Sequence, residues 1–199
     1  MPDRPERRTR KDAERNRQAV LAAADALFSR SGSPEDLTTA AIAAEAGVGK
    51  GTLFRAFGDR AGLLRALYEA RLEPVRRAAE TGPPPLGPAT PARERVPALL
   101  DAVLRFKLDN RRLALALEDG GGGSPYQAEH YERWHDLLRS TLERIPGLPD
   151  ADFTAHALLA ATRADLVERL AGQEGGGREE LRTRLAAYAH HVVADRTPA

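Results

Sequence analysis

The chain of 199 residues contains no cysteine. That absence excludes disulfides, thiolate zinc sites and cysteine nucleophiles, and it fits a cytoplasmic protein. Long apolar runs are missing as well, and a mean hydropathy of -0.47 leaves no stretch able to span a membrane. The N-terminal MPDRPERRTRKDAERNR lacks the apolar core of a signal peptide, so the expected location is the cytoplasm. There is no HExxH, P-loop or GxSxG motif, and the plentiful carboxylates form no conspicuous pair in an apolar setting. These gaps argue against an all-helical enzyme. A large excess of one charge is also lacking: the net charge is only +1, so any nucleic-acid binding must come from where the cations lie. Finally, no segment alternates with period two for long enough to make a strand, and the expected fold class is all-α.

What is present centres on residues 37–60, LTTAAIAAEAGVGKGTLFRAFGDR. Leu37, Ala41, Ile42, Ala44 and Ala46 place small apolar groups on one face of a first short helix, which Thr38 or Thr39 can cap. Gly47 ends it, because a residue without Cβ reaches the left-handed backbone cheaply. Val48 reads as a buried plug of the turn. A second helix opens near Gly49 or Lys50 and stops where Gly58 precedes Asp59. Its apolar residues Leu53 and Phe57 are four apart and share a face. The opposite face carries Lys50, Thr52, Arg55 and Ala56. A helix this short cannot stand alone and must be held by neighbours. A small braced helix that presents cations and a hydroxyl suits insertion into a DNA major groove.

The motif LTTAAIAAEAGV, the turn, KGTLFRAF and the following GDRAGLL resemble the helix-turn-helix of the TetR family of bacterial transcriptional regulators. The resemblance covers roughly the first third of the chain. It implies a homodimeric regulator without a cofactor, an N-terminal three-helix DNA-binding domain over 1–58, and a helical ligand-binding and dimerisation domain over 59–199. Its DNA contacts would fall on Thr38, Thr39, Lys50, Gly51, Thr52, Phe54, Arg55 and Arg60. The family usually has Ser where Gly49 stands, Tyr where Phe54 stands, and Tyr or His where Ala56 stands. Gly49 caps less well than Ser, and Phe54 has no hydroxyl to offer a phosphate, which shifts the expected affinity onto Lys50, Arg55, Arg60 and the basic N-terminus. Arg60 replaces the Lys common at that family position. Arg55 is the favoured guanine contact, because its planar fork can bond two acceptors. Ala40, where some relatives carry a base-reading side chain, can offer only apolar contact.

Before this motif, residues 1–9 read as a disordered arm, followed by a helix from about Asp12 to Ser31 with Val20, Ala23, Ala24, Leu27 and Phe28 on one stripe. After it, Asp59 can cap a helix that buries Leu63, Leu64, Leu67, Tyr68 and Leu72, and Pro74 should kink or end that helix. In the family this helix joins the DNA-binding head to the regulatory core. TGPPPLGPATP, 81–91, reads as a loop or semi-rigid spacer. Helices are then expected from Pro91 to near Asn110, from Arg111 to Glu118, from Tyr126 to Ile145, from Asp150 or Asp152 to about Gly172, and from about Glu179 to Val193. Glycine breaks are expected at 120–123 and 175–177.

The family's last two helices form its dimer interface, and here Ala155, Leu158, Leu159, Thr162, Leu166, Leu170, Leu181, Leu185, Tyr188 and Val192 could build either that interface or an internal core. A dimer would engage a palindromic operator, with half-sites about 34–36 Å apart or farther. The family also generally holds a small-molecule effector between its middle helices. Candidates for that site are Tyr126, His130 and Trp134 on one helical face, Phe106 and Leu117 on an apolar wall beside Leu113, and Arg163 for an acidic group. The plainer alternative makes the aromatic face amphipathic core and pairs Arg163 with Glu118, Asp165 or another carboxylate. A regulator without a small-molecule inducer is the second functional expectation. No metal site is assigned: one would require His130, His135, His156 or the adjacent His190 and His191 to converge, and neighbours on a helix point about 100° apart.

Overall fold

The computed structural model describes residues 4–119, 129–173 and 177–194, and every regular element among them is helical. The chain divides into two compact units, one ending at Arg71 and one starting at Leu72.

In the first unit α1 is Arg4–Ser31, α2 is Thr39–Glu45, α3 is Lys50–Phe57, and α4 begins at Arg60. The disordered arm expected over 1–9 is corrected for residues 4–9, which are helical from Arg4; residues 1–3 lie outside the described residues. Pro5 is tolerated there because the first-turn N–H groups have no partner within a helix. The mixed-charge sequence that follows is rich in helix formers and carries spaced pairs such as Asp12 with Arg15 at 3.5 Å and Glu14 with Gln18 at 2.9 Å. Val20, Ala23, Ala24 and Phe28 of α1 are buried, as are Leu37, Ile42, Leu53, Leu63, Leu64, Leu67 and Tyr68. Two details of α2 differ from expectation. Ala43, not Ala44, is buried, and Val48 is only half-buried. The seven-residue α2 rotates Ala44 outward, and the Val48 N–H instead bonds the Ala43 carbonyl at 3.0 Å to close the turn.

α4 runs Arg60–Thr81 and is capped by Asp59, whose carboxylate accepts from Gly62 N at 2.6 Å. Of the two outcomes expected at Pro74, an end to the helix is excluded: the helix continues through it to Thr81. A proline inside a helix removes one backbone bond and costs about 3 kcal/mol. Burial of Leu72 on one side of it and Ala79 on the other offsets that loss. On the first-unit part of α4, Arg71 donates to Asp25 Oδ1 and Ser29 Oγ, each at 2.6 Å, while its guanidinium lies 4.5 Å from the Phe28 ring centre, clasping α4 to α1.

In the second unit, residues 82–91 form the expected loop, and α5 (Ala92–Asp109), α6 (Arg111–Asp119), α7 (Glu129–Leu142), α8 (Ala151–Ala160), α9 (Ala164–Glu168) and α10 (Arg178–Val193) follow. The core is built on α5, which buries Val96, Leu99, Leu100, Val103, Leu104, Phe106 and Leu108 and packs against α7, α9 and α10. Buried Arg95 holds three strands of chain together by donating to the carbonyls of Ala79 at 2.7 Å and Leu86 at 2.9 Å and to the Thr141 hydroxyl at 3.2 Å.

The single helix expected from Asp150 or Asp152 to about Gly172 is broken. It forms α8, a turn at 161–163, α9, and a π-helical turn at Arg169–Gln173. At the break the Thr162 hydroxyl donates to the Leu159 carbonyl at 2.8 Å, and Glu118 accepts from Ala164 N at 2.8 Å, capping the new helix. Asp150 caps α8 through Phe153 N at 2.9 Å. Gly120 to Gly123, Tyr126 and Gly175 lie outside the described residues. Among the described residues no helix is long and apolar enough to cross a membrane.

Candidate nucleic-acid interface

The turn between α2 and α3 is set by two backbone devices. Thr38 caps α2, its hydroxyl accepting from Ala41 N at 3.1 Å, and Gly47 takes φ 64, where a Cβ would be strained. Gly49 occupies the N-cap of α3 in an extended conformation and offers no side-chain bond. The first N–H groups of α3 therefore lack a side-chain partner.

Leu53 anchors α3 from below and is fully buried. At the other end Arg17 reaches across from α1 to donate to the Ala56 carbonyl at 3.0 Å, with its guanidinium 4.6 Å from the Phe57 ring centre. Arg17 satisfies one of the carbonyls left open at a helix C-terminus, and its positive charge complements the negative end of the helix dipole. Gly58 then turns the chain with φ 77.

What α3 leaves to solvent is a stripe of Lys50, Gly51, Phe54 and Arg55. Residues four apart stack on one face, so Lys50 precedes Phe54 and Gly51 precedes Arg55. Among the described residues neither Lys50 nor Arg55 has an ion-pair partner. Thr52 and Ala56, expected on this face, are half-buried at its margin. Phe54 is 47% exposed, a large apolar ring presented to water. Thr38 is exposed and Thr39 half-buried beside the start of α2, while the exposed Arg60 donates to the Pro34 carbonyl. The arrangement places two free cations, a bare backbone and an aromatic ring on one ridge about two turns long, matched to the width of a major groove. Arg17 was missed as a brace. Its signal was its place on the stripe of Val20, Ala24 and Phe28, where a cation among apolar residues needs a partner.

The residues expected around an effector are less concentrated. Trp134 is buried and, with Leu72, Arg76, Glu80, Arg133 and Leu137, borders a crevice with room for about one water. Phe106 is buried in the core, Leu117 is half-buried, and neither borders that crevice. Tyr126 and the side chain of His130 lie outside the described residues. Arg163 pairs with Asp165 at 2.9 Å, as the plainer alternative held. Its guanidinium holds the Asp165 carboxyl below its ordinary range. Beside them Lys107 and Glu118 form a largely buried pair at 2.7 Å. Burial pushes the Lys107 ammonium below its ordinary value while Glu118 opposes that shift.

Comparison with known proteins agrees with this geometry. Residues 20–67, which contain α2, α3 and their turn, match the family model described as bacterial regulatory proteins, tetR family. An HTH-type transcriptional regulator of Staphylococcus aureus (strain USA300) is 30% identical over 143 residues, covering 66% of this chain and 71% of that regulator. Among solved structures, a transcriptional regulator from Rhodococcus sp. Rha1 shares the fold with a TM-score of 0.64 at 20% identity, over 92% of this chain and 99% of that one. A gamma-butyrolactone receptor (ArpA-like protein) is 26% identical with a TM-score of 0.52, over 90% of this chain and 98% of its own. The fold and the exposed second helix of the motif define a DNA-binding transcriptional regulator of the helix-turn-helix class. The chain belongs to the TetR family.

Proposed function

We propose that this regulator is a homodimeric repressor that holds a palindromic operator through α3 and releases it when a small molecule enters the helical second unit. The observation that carries the DNA half is the sidedness of α3: Leu53 is fully buried while Lys50, Gly51, Phe54 and Arg55 stand in solvent. Arg55 reads a guanine with its two-pronged donor, Gly51 lets the backbone approach, Phe54 packs on a thymine methyl or sugar, and Lys50 and Thr52 complete the groove contacts. Thr38, Thr39 and Arg60 meet phosphates at the margin. The action is binding, with no catalytic step and no cofactor.

The effector half is supported by the likeness to a gamma-butyrolactone receptor. Phe106, Leu117, Tyr126, His130, Trp134 and Arg163 are the residues we propose to line or border the effector site. Two-fold pairing through α8 and α10 is supported by apolar side chains left outside the core: Phe153 is 68% exposed and Tyr188 45% exposed. The cytoplasm is the compartment where such a regulator meets DNA.

The test is selection from randomised duplex DNA with sequencing, at two salt concentrations. A palindromic motif with a steep salt dependence is the expected result. Arg55→Ala should cost about 1–3 kcal/mol and relax preference at one base pair in each half-site. An unchanged preference in that variant refutes the role given to Arg55. A library of small molecules screened against the bound complex separates an inducible repressor from a regulator without an inducer.

A further inference from the structure

Two pairs of residues spaced four apart face one another in the second unit: Tyr131 and His135 on α7, Asp152 and His156 on α8. His135 Nε2 lies 3.3 Å from Asp152 Oδ1, the His135 and His156 rings stack with centres 3.9 Å apart, and the Tyr131 hydroxyl is 2.6 Å from His156 Nδ1. One ligand atom from each of His135, Asp152 and His156 lies within 4.8 Å of the others. We propose that these three side chains bind a divalent late first-row transition-metal ion, zinc or nickel, stapling α7 to α8.

The donor set is two imidazole nitrogens and one carboxylate oxygen, which suits zinc, nickel or copper and disfavours magnesium and calcium, whose sites are built from oxygen. Three protein ligands leave a fourth position for water, the pattern of an open zinc site. With bonds of about 2.0–2.1 Å, tetrahedral ligand atoms sit about 3.4 Å apart. His135 and Asp152 are already at that spacing. Closing the site requires χ rotations that unstack the His135 and His156 rings, whose near-parallel planes hold their lone pairs side by side, while the helical backbones of α7 and α8 stay in place. Tyr131 supplies the orienting contact. A metal on Nε2 of His156 requires the proton on Nδ1, and the phenolic oxygen is placed to accept it, as outer partners of metal-bound histidines do. Entry is open from the Asp152 side, whose side chain is 64% exposed, while the His135 side chain at 13% gives the site a drier wall. The inference stands on this cluster alone and does not depend on the identity of an effector or operator.

The experiment uses the full chain without a histidine tag, with zinc measured by competition against a chromophoric chelator and counted by native mass spectrometry. One zinc per chain is expected, unmoved by excess magnesium and accompanied by a rise in Tm, because binding to the folded state alone stabilises it. Asp152→Ala at its exposed position and His156→Gln should each abolish stoichiometric binding, with circular dichroism showing the helical fold kept. Tyr131→Phe should weaken zinc about 10–100-fold. The doubly substituted His190→Ala, His191→Ala chain should bind as the parent does. Failure of the parent to retain zinc, retention by a folded Asp152→Ala chain, or loss in the His190, His191 variant overturns the assignment.

Discussion

The brace between α1 and α3 can be removed by replacing Arg17 with Ala. In the structure Arg17 donates to the Ala56 carbonyl at 3.0 Å and covers the Phe57 ring at 4.6 Å. A hydrogen bond from a charged donor contributes about 1.5–3 kcal/mol. A partly exposed cation–π contact adds about 0.5–1 kcal/mol. The side chain is half-buried, so water repays part of the loss at the freed carbonyl. A net destabilisation of about 1–2 kcal/mol is therefore expected. For a chain of this size each kcal/mol lowers Tm by about 2–4 °C, provided the units melt together. Urea denaturation followed by circular dichroism reads the loss, and a double-mutant cycle with Phe57→Leu isolates the ring contact. Operator binding should weaken while its salt dependence stays unchanged, because a brace touches no phosphate. If Arg17→Ala keeps full stability and instead lowers the salt slope by about one, Arg17 is a phosphate contact and the reasoning is refuted.

Three further outcomes follow from the second unit. Glu118→Ala strands the Lys107 ammonium and uncaps α9, and breaking such a buried pair should cost about 3–5 kcal/mol by denaturant titration. Because burial already depresses the Lys107 pKa, its penalty applies while it is protonated and is relieved as pH rises through the folded value; the variant should regain stability on moving from neutral toward alkaline pH more than the parent does. Glu168, held down chiefly by its hydrogen bond from Arg111, and Asp165, held down by Arg163, contribute stability above the ordinary carboxylate range that is lost as pH falls below about 4. Acid titration of Glu168→Gln should accordingly show a shallower loss than the parent. Tyr188→Asp at the exposed edge of α10 should shift sedimentation from dimer to monomer, with circular dichroism confirming that the neighbouring buried Leu181, Leu185 and Ala189 keep the helix in place.

The DNA-binding head was largely legible from its residues because its signals are local. Gly47 and Gly58 punctuate, Thr38 and Asp59 cap, and Leu53 marks the inner face of α3, each effect acting within one helical turn. The same locality made all-helical architecture readable from periodicity alone. Where the expectations departed, either propensity and burial outweighed a local signal or a contact from a distant part of the chain intervened. The start of α1 at Arg4 and the passage of α4 through Pro74 are cases in which helix propensity and burial outweighed proline. The break between α8 and α9 needed Glu118, 46 residues away, to cap the new helix. Arg163 could be given several partners from the sequence, and the structure pairs it with Asp165, two residues along the chain. Likewise the histidines were visible as five residues, and convergence stood only as a condition on any metal site. Sequence determined which faces are apolar and where helices stop, because those depend on neighbours along the chain. Tertiary structure alone decided that Arg17 braces α3 and that His135, Asp152 and His156 meet, because side chains far apart in sequence come together only through the packing of α1 on α3 and of α7 on α8.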